Sequence, residues 1–365
     1  MPAAEQSHHA TQDPDLIVAG PEGLACAAGA FHVDPWKPVP LAVVTHAHAD
    51  HATPGCGRYI TTPRTAAFMR TRFGGDPEIT ELEFGHPVDL NGVRVSLHPA
   101  GHTPGSAQVR LEHDGRVWCV TGDYKRDADT TSEPFELVEC DALITESTFG
   151  LPIFRWPDAA EVAADINAWR QKNAEEGATS VLLAYAFGKA QRVMALLDPS
   201  IGPIGVHGAV ARLCAAYQDL GVSLPEWLHA KRETRDALKG AGTIVAPPSV
   251  AGSTWLRGFA GKGGVRTAMV SGWMTIRGRR RWRALDAGFV LSDHADWPGL
   301  LRTIEESGAT RVGVTHGYAE PMARYLREVK GLDAFAVPTR FRGEDGGEEN
   351  ADDDRNDSPE EASTA

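Results

Sequence analysis

The sequence predicts an α/β fold. Short apolar runs of strand length recur along the chain, and several of them end in loops that carry histidine, aspartate or glutamate. Between positions 158 and 271, helical patterns alternate with such runs, as in folds that cover a sheet with helices. The chain has 365 residues and a hydrophobic content of 42%, which is ample for two domains or for one domain with a large insertion.

The charge of the chain is concentrated at its C-terminal end. The net charge is -13, but ten acids and one base between Glu344 and Glu361 account for -9 of it and leave -4 for the rest. We predict that residues 343–365 form a disordered acidic tail and that residues 1–15 form a flexible N-terminus. A solvating tail is favoured over a regulatory or DNA-mimicking one on composition.

Several classes of protein are disfavoured by composition. No apolar stretch approaches the length that a membrane span needs, and the segment Met1 to Pro14 has no apolar core of a secretory signal. The cysteines are scattered, odd in number and without a CxxC pair, so neither a disulfide framework nor a thiolate zinc site is indicated. We therefore expect a cytoplasmic protein with no membrane partner. These cysteines are Cys26, Cys56, Cys119, Cys140 and Cys214.

The strongest local pattern is the loop after the apolar run Leu41–Val44. It places His46, His48, Asp50 and His51 within six positions. His46 and His48 can point to one side and hold one metal ion, while Asp50 and His51 can face a second ion after the turn. Imidazole and carboxylate ligands together suit zinc, or less tightly manganese or iron. The alternative is a polar surface loop, which four ligand-type residues at this spacing disfavour.

Other predicted strands also end at residues that carry chemistry. The runs 31–33, 93–98, 116–120, 141–145 and 311–315 are followed by Asp34, His102, Asp123, Glu146 and His316. His102 lies after Gly101, which permits close backbone approach, and before a Thr-Pro-Gly turn. His98 is its nearby competitor as a ligand. We expect helices at 62–73, 158–176, 209–220, 298–307 and 319–329, and one more that runs through Leu197. We expect strands at 180–186, 243–246, 267–271 and 333–337.

A basic segment lies at positions 275–283, with five arginines and a tryptophan in nine positions. Arginines bind phosphates and an interleaved tryptophan can stack on an unpaired base, so we predict contact with nucleic acid, and an exposed basic helix face is the alternative. The residues predicted to make this contact are Arg277, Arg279, Arg280, Arg281 and Trp282.

The motifs together resemble a known family. His46-Ala47-His48-Ala49-Asp50-His51 resembles the HxHxDH motif of the metallo-β-lactamase superfamily. The segments 146–150 (Glu-Ser-Thr-Phe-Gly), 186–192 with its Gly-Lys-Ala-Gln, and 292–296 (Ser-Asp-His-Ala-Asp) resemble elements of its β-CASP nucleases. Asp34-Pro35-Trp36, the run from Gly122 to Arg126 and a compact insertion are similar to the bacterial ligase-associated DNA exonucleases. The resemblance covers nearly all of residues 16–342.

The resemblance implies a fold and a set of domains. It implies the metallo-β-lactamase αββα sandwich, split by an inserted β-CASP-like α/β domain. The first part of the sandwich would be residues 16–154, the inserted domain 155–285 and the return segment 286–342.

The resemblance also implies roles for the site residues. One metal ion would be held by His46, His48 and His102, and the other by Asp50, His51 and His316, with Asp123 between the two. Asp34 would support the ligands from behind, although it could instead merely open the Asp-Pro turn. Asp50, Asp123, Glu146 and His294 would form the catalytic set, with His294 as general acid. Lys125, Arg126 and Lys189 would contact substrate phosphates; for the first two, a solvated charge pair is equally expected.

The function implied is metal-dependent hydrolysis of DNA by an exonuclease of DNA repair, with two divalent ions, zinc or else manganese. Single-stranded DNA or a duplex end would be the substrate, and a DNA ligase and a helicase are the partners that the resemblance suggests. A β-CASP ribonuclease would use the same residues, so RNA stays open as substrate. A non-catalytic nucleic-acid-binding subunit is a third reading, and a small-molecule hydrolase is disfavoured by Glu146 and His294 in their motifs.

Overall fold

The fold is described by a computed structural model that covers residues 15–276 and 285–339. Its strands are β1 Val18–Gly20, β2 Gly23–Cys26, β3 Phe31–Val33, β4 Leu41–Val43, β5 Arg58–Thr61, β6 Ile79–Glu81, β7 Val88–Leu90, β8 Val93–Pro99, β9 Ala107–His113, β10 Arg116–Val120, β11 Ala142–Glu146, β12 Thr179–Leu183, β13 Ile204–Val206, β14 Leu228–His229, β15 Thr243–Ala246, β16 Val265–Val270, β17 Ala287–Phe289, β18 Arg311–Thr315 and β19 Asp333–Ala336. Its helices are α1 Pro63–Phe73, α2 Ala159–Glu175, α3 Lys189–Ala195, α4 Gly208–Asp219, α5 Arg235–Leu238, α6 Thr254–Arg257, α7 Trp297–Glu306 and α8 Ala319–Glu328.

Two mixed sheets form the first half of the architecture. The first has the order β1-β2-β3-β4-β5-β6, and from β3 to β6 its neighbours run parallel. The second has the order β19-β18-β11-β10-β9-β8-β7, and β10, β11, β18 and β19 run parallel. Strands β8 and β9 are antiparallel neighbours, so β8 points in the same direction as β10.

These two sheets pack face to face. Val33 and Val43 of the first sheet share one core with Val109, Trp118 and Ile144 of the second. Each of these side chains is at most 2% exposed, so the apolar area removed from water is large. Alternation along the strands sends the neighbouring residues to the outer faces.

Helices cover both outer faces. Phe68 and Met69 of α1 pack with Val44 and Tyr59 behind the first sheet. Behind the second sheet, α7 and α8 contribute their apolar faces to a separate core. The order helix, sheet, sheet, helix confirms the predicted αββα sandwich.

A third sheet is inserted between β11 and β18. All of its pairings are parallel, and its order is β14-β13-β15-β12-β16-β17. Leu182 on one face of β12 packs with residues of α2, α3 and α4, while Val181 and Leu183 on the other face pack with α5 and α6. We call this sheet with α2 to α6 the third-sheet unit.

The third-sheet unit runs slightly beyond the predicted insertion. β17, at Ala287–Phe289, pairs with β16, so this strand follows the expected boundary at residue 285. The division into domains stays a proposal. None of the helices within 15–276 and 285–339 has the length and apolar character that a membrane-crossing segment needs.

Candidate metal centre

The ends of parallel strands bring the polar side chains to one edge of the sandwich. Asp34 follows β3, and the loop from His46 to His51 follows β4. Across the core, Asp123 follows β10, Glu146 ends β11 and His316 follows β18. Since these strands point the same way within their sheets, residues more than 200 positions apart meet in one place. His102 arrives there from the end of β8.

The first group at this edge consists of His46, His48, His102 and Asp123, whose candidate ligand atoms all lie within 4.8 Å of one another. His46 Nε2 is 2.9 Å from His48 Nδ1, and His102 Nε2 is 3.0 Å from the same nitrogen. His98, the competing histidine, lies outside the group and bonds Glu136 at 2.8 Å. The structure therefore places His102, and not His98, in the first group.

The tautomer of each imidazole follows from its other nitrogen. His102 Nδ1 faces the carbonyl of Asp293 at 2.9 Å and His48 Nε2 faces that of Phe187 at 3.3 Å, so both nitrogens must donate. The Thr45 hydroxyl donates to Asp34 at 2.6 Å and so accepts from His46 Nδ1 at 3.0 Å. Three nitrogen lone pairs are thus turned toward one another.

The second group contains Asp50, His51 and His316. His51 Nδ1 donates to Asp34 Oδ2 at 2.7 Å, which leaves Nε2 to face the carboxylates of Asp50 at 3.5 Å and Asp123 at 3.4 Å. The His316 ring stacks on that of His51 with centroids 5.0 Å apart. Asp34 thus contacts the nitrogen of His51 that points away from Asp50 and Asp123, a supporting position of the kind that the resemblance implies.

Two glycines permit this close assembly. Gly101 has φ 78°, and a Cβ there would lie 2.5 Å from the carbonyl oxygen of Lys125. Gly122 has φ 56°, and its Cβ would lie 2.6 Å from Thr45 Oγ1. Only glycine meets both requirements without strain, so each residue lets the following His102 or Asp123 reach the groups.

Glu146 and His294 form a third association beside the first group. His294 Nδ1 lies 3.1 Å from Oε1 and 3.0 Å from Oε2 of Glu146, and 3.9 Å from Asp123 Oδ2. Glu146 is 1% exposed, and its Oε1 also accepts the Tyr124 backbone N–H at 2.7 Å. The carboxylate thus holds one nitrogen of the imidazole in a fixed direction.

The electrostatics of the two groups differ. Burial and the neighbouring imidazoles hold the pKa of His46 and of His102 well below the ordinary histidine value. For His51, burial acts downward, but the carboxylates of Asp50, Asp123 and Asp34 outweigh it and raise the pKa well above that value. Burial acts upward on Asp123, but His51 and His294 hold the pKa of its carboxyl well below the usual range.

The residues present fit a pair of divalent cations. Mutually facing lone pairs repel unless a cation lies between them, and neutral imidazole is the form that binds metal. Asp123 Oδ1 is buried and has no hydrogen-bond partner among the described residues. An unpaired buried carboxylate oxygen is costly, and a bound divalent cation would satisfy it.

The structure buries two of the side chains that the resemblance assigns to phosphate contact. Lys125 and Lys189 are each 2% exposed, and Lys125 pairs with Asp129. A solvated charge pair is therefore wrong for Lys125, because its ammonium is buried. Arg126 pairs with Glu306 at 2.6 Å. Arg277, Arg279, Arg280, Arg281 and Trp282 lie outside the described residues.

Sequence reasoning missed three supporting residues. Thr45 fixes the His46 ring, Asp293 orients His102 through its carbonyl, and Arg72 donates to the carbonyls of Ala47 and Ala52 in the ligand loop. Thr45 was detectable because it begins the histidine-rich loop, and Asp293 because it precedes His294. No local signal in the sequence marks Arg72.

Several known proteins are similar to this chain in sequence. A protein of Opitutus terrae named "Probable DNA ligase" is 34% identical over 317 residues, which are 86% of this chain and 30% of that protein. An "RNase J-like protein" of Methanocaldococcus jannaschii is 27% identical over 53% of this chain and 52% of its own length. The Drosophila melanogaster "Cleavage and polyadenylation specificity factor 73" is 27% identical over 52% of this chain and 31% of that protein.

The chain resembles these relatives, of which the RNase J-like protein and the specificity factor are β-CASP nucleases of the metallo-β-lactamase fold. It spans only 30% and 52% of the first two relatives. No protein-family model matches it. A crystal structure of a protein of unknown function from Enterococcus faecalis has a TM-score of 0.51 at 12% identity, with 75% of this chain and 74% of that one covered, and supports the fold alone.

Proposed function

We propose that this β-CASP-like protein is a metal-dependent nuclease that hydrolyses DNA phosphodiester bonds as an exonuclease of DNA repair. The observation that carries the proposal is the meeting of two metal-ligand groups with the Glu146–His294 pair at one sheet edge. The DNA assignment is supported by the relative named as a DNA ligase. Since most of that relative lies outside the match, we also propose a DNA ligase as partner, and a helicase by the resemblance.

The proposed chemistry divides between the ions and the chain. His46, His48 and His102 would hold one ion, Asp50, His51 and His316 the other, and Asp123 would lie between them. Two divalent ions, zinc or manganese, would supply an activated water and would offset phosphate charge. Glu146 binds Nδ1 of His294, so His294 would give a proton from Nε2 to the leaving sugar oxygen as general acid.

Two variants test this division of roles. His294→Ala should lose cleavage yet keep both metal ions, because His294 is not among the ligands. Asp50→Ala should lose cleavage and one ion. Metal content by elemental analysis and cleavage of labelled DNA measure both effects, and full activity with wild-type metal content in either variant contradicts the assignment.

RNA is the second candidate substrate, favoured by the relatives named RNase J-like and cleavage and polyadenylation specificity factor. The purified protein should be incubated with end-labelled single-stranded DNA, duplex DNA and RNA, with zinc or with manganese. We expect stepwise shortening of DNA to products with a 5′ phosphate. Cleavage of RNA alone would replace the DNA assignment, and binding of either without cleavage would favour a non-catalytic subunit.

A further inference from the structure

Four buried charged side chains and one half-buried carboxylate, that of Asp129, form a cluster beside the candidate metal centre. Its members are Lys125, Asp129, Lys189, Arg192 and Asp293, which we call the buried charge cluster. Lys125 and Lys189 are 2% exposed, Asp293 4% and Arg192 5%. Such charges are costly to remove from water, and apolar residues of equal volume are often as stabilising. The cluster therefore calls for an explanation other than stability.

The ion pairs of the cluster form a chain. Lys125 pairs with Asp129, and Arg192 Nε lies 3.2 Å from Asp129 Oδ2. Arg192 Nη1 lies 3.5 Å from Asp293 Oδ1, and Lys189 Nζ lies 4.0 Å from Asp293 Oδ2. The two carboxylates are thus shared among three cations.

The chain of ion pairs joins separate parts of the fold. Lys125 and Asp129 lie in the loop that follows β10 of the sandwich. Lys189 and Arg192 lie on α3 of the third-sheet unit. Asp293 lies where the chain returns from β17 toward α7. Through this carboxylate, Lys189 and Arg192 of the third-sheet unit bind the returning segment.

Backbone carbonyls connect these ion pairs to the candidate metal centre. The carbonyl of Asp293 accepts from His102 Nδ1 at 2.9 Å and so sets the tautomer and direction of that ring. Arg192 donates to the carbonyl of the preceding Ser292, and the residue after Asp293 is His294. On the other side, the Phe187 carbonyl just ahead of α3 accepts from His48 Nε2 at 3.3 Å.

We propose that Asp293 is a positioning residue, whose carboxylate, held by Lys189 and Arg192, fixes the backbone that aims His102 at the first metal and His294 at the substrate. The third-sheet unit then sets the geometry of the centre and does more than cover it. The inference rests on the proposed function for His294, whereas its statement about His102 concerns metal binding alone.

The test is Asp293→Asn, which keeps the size of the side chain and removes its charge. We expect the affinity for zinc to fall by about tenfold, as for other residues that orient ligands. We expect kcat to fall with KM unchanged, because no substrate contact is lost. Zinc affinity is measured by competition with a chromophoric chelator, and kcat and KM on labelled DNA. Unchanged zinc affinity and unchanged kcat would overturn the proposal.

A matched control separates positioning from loss of stability. Asn173→Ala removes a buried hydrogen bond to Ser180 Oγ, 3.0 Å in length, within the same third-sheet unit but away from the cluster. It should lower Tm while leaving zinc affinity and kcat near the wild-type values. If the two variants lose equal Tm and Asn173→Ala reduces zinc affinity and kcat as much as Asp293→Asn does, the role of Asp293 is only structural.

Lys189→Met supplies a second route if Asp293→Asn fails to fold. If the proposal holds, Lys189→Met weakens the same hold on the Asp293 backbone. The double variant of Lys189→Met and Asp293→Asn should therefore lose no more kcat than the worse single variant. Additive losses, or a rise in KM for Lys189→Met alone, would contradict it and assign Lys189 to the substrate. If the wild type cleaves no nucleic acid, the proposed function fails, while zinc affinity still decides the positioning role toward His102.

Discussion

Each imidazole of the first group has its proton fixed by an acceptor that lies outside the group. The acceptors are the Thr45 hydroxyl and the carbonyls of Phe187 and Asp293. Because these bonds choose the tautomer, the remaining nitrogens are directed inward as lone pairs. The direction of each ligand nitrogen therefore depends on residues that are not themselves candidate metal ligands.

Asp34 provides the corresponding bond in the second group. We predict that Asp34→Ala lowers the affinity for the second metal ion by about 10- to 100-fold, because His51 loses the acceptor that orients it. Chelator competition, which resolves the two affinities, measures the change. Glu136→Gln is the matched control, since Glu136 also bonds a histidine, at 2.8 Å, but outside the groups. Equal affinities in Asp34→Ala and wild type would contradict the prediction.

Glu146 acts on the proposed general acid. We predict that Glu146→Gln lowers kcat by about 100-fold or more, because a neutral amide stabilises protonated His294 less than a carboxylate does. The amide can still accept the Tyr124 N–H, so folding and metal content should be retained. Steady-state cleavage and elemental analysis make the measurement, and loss of metal together with activity would assign Glu146 to the ligands instead.

At the scale of elements, the candidate centre is built by strand ends and the turns that follow them. Strands β10, β11 and β18 are parallel neighbours, and Glu146 at the end of β11 pairs with Thr315 at the end of β18, while β10 ends two residues earlier, opposite Ile144. The turn after each strand then decides how far the next side chain reaches. Gly122 lets the β10 turn pass over Thr45, which places Asp123 between the two groups.

Gly122→Ala tests that turn. Its φ of 56° costs an alanine about 1 kcal/mol, and the close approach to Thr45 adds ~1 to 3 kcal/mol. We predict a lower Tm and weaker binding of both metal ions, since Asp123 and Thr45 are displaced together. Gly115→Ala is the control, because its φ of 75° carries the backbone strain and no atom lies within 4 Å of its Cβ. Equal effects of the two variants would refute the role of the close approach.

At the scale of the whole molecule, the candidate ligands come from both sheets of the sandwich. His46 and His51 lie in a loop that follows a strand of the first sheet. Loops that follow strands of the second sheet carry His102, Asp123 and His316. Ions held between them would join the two layers, so metal removal should destabilise the native state. We predict a lower Tm after treatment with EDTA and recovery on addition of zinc, measured by differential scanning calorimetry.

The metal-free protein should also lose stability as pH falls from 6.5, the ordinary pKa of histidine, toward the lowered pKa of the folded histidines. Burial lowers the pKa of four candidate ligand histidines, so below pH 6.5 the unfolded chain binds protons that the folded chain does not bind. These are His46, His48, His102 and His316. His51 has a raised pKa, and its contribution is already complete below pH 6.5. Tm measured across this range tests the sign, and His98→Gln, outside the groups, should keep the slope. A constant or rising Tm would contradict it.

Most of the fold and of the candidate site could be predicted locally. The strands at 116–120, 243–246 and 311–315 have the predicted bounds, because buried apolar runs between turn residues leave little choice of structure. The ligand types were visible because histidine and aspartate at close spacing have few other uses. The burial of Lys125 and Lys189 could not be predicted, since a lysine in the sequence gives no sign of whether an acid will face it.

The sequence alone determined the α/β class and the residue types that follow several of the strands, because those depend on neighbours along the chain. Only the tertiary structure decided which nitrogen of each histidine faces the other ligand atoms. It also decided that Lys125 pairs with Asp129 and that Lys189 pairs with Asp293. Those outcomes depend on contacts between residues far apart in sequence, such as His102 with Asp293. Such contacts exist only once both sheets and the third-sheet unit have packed together.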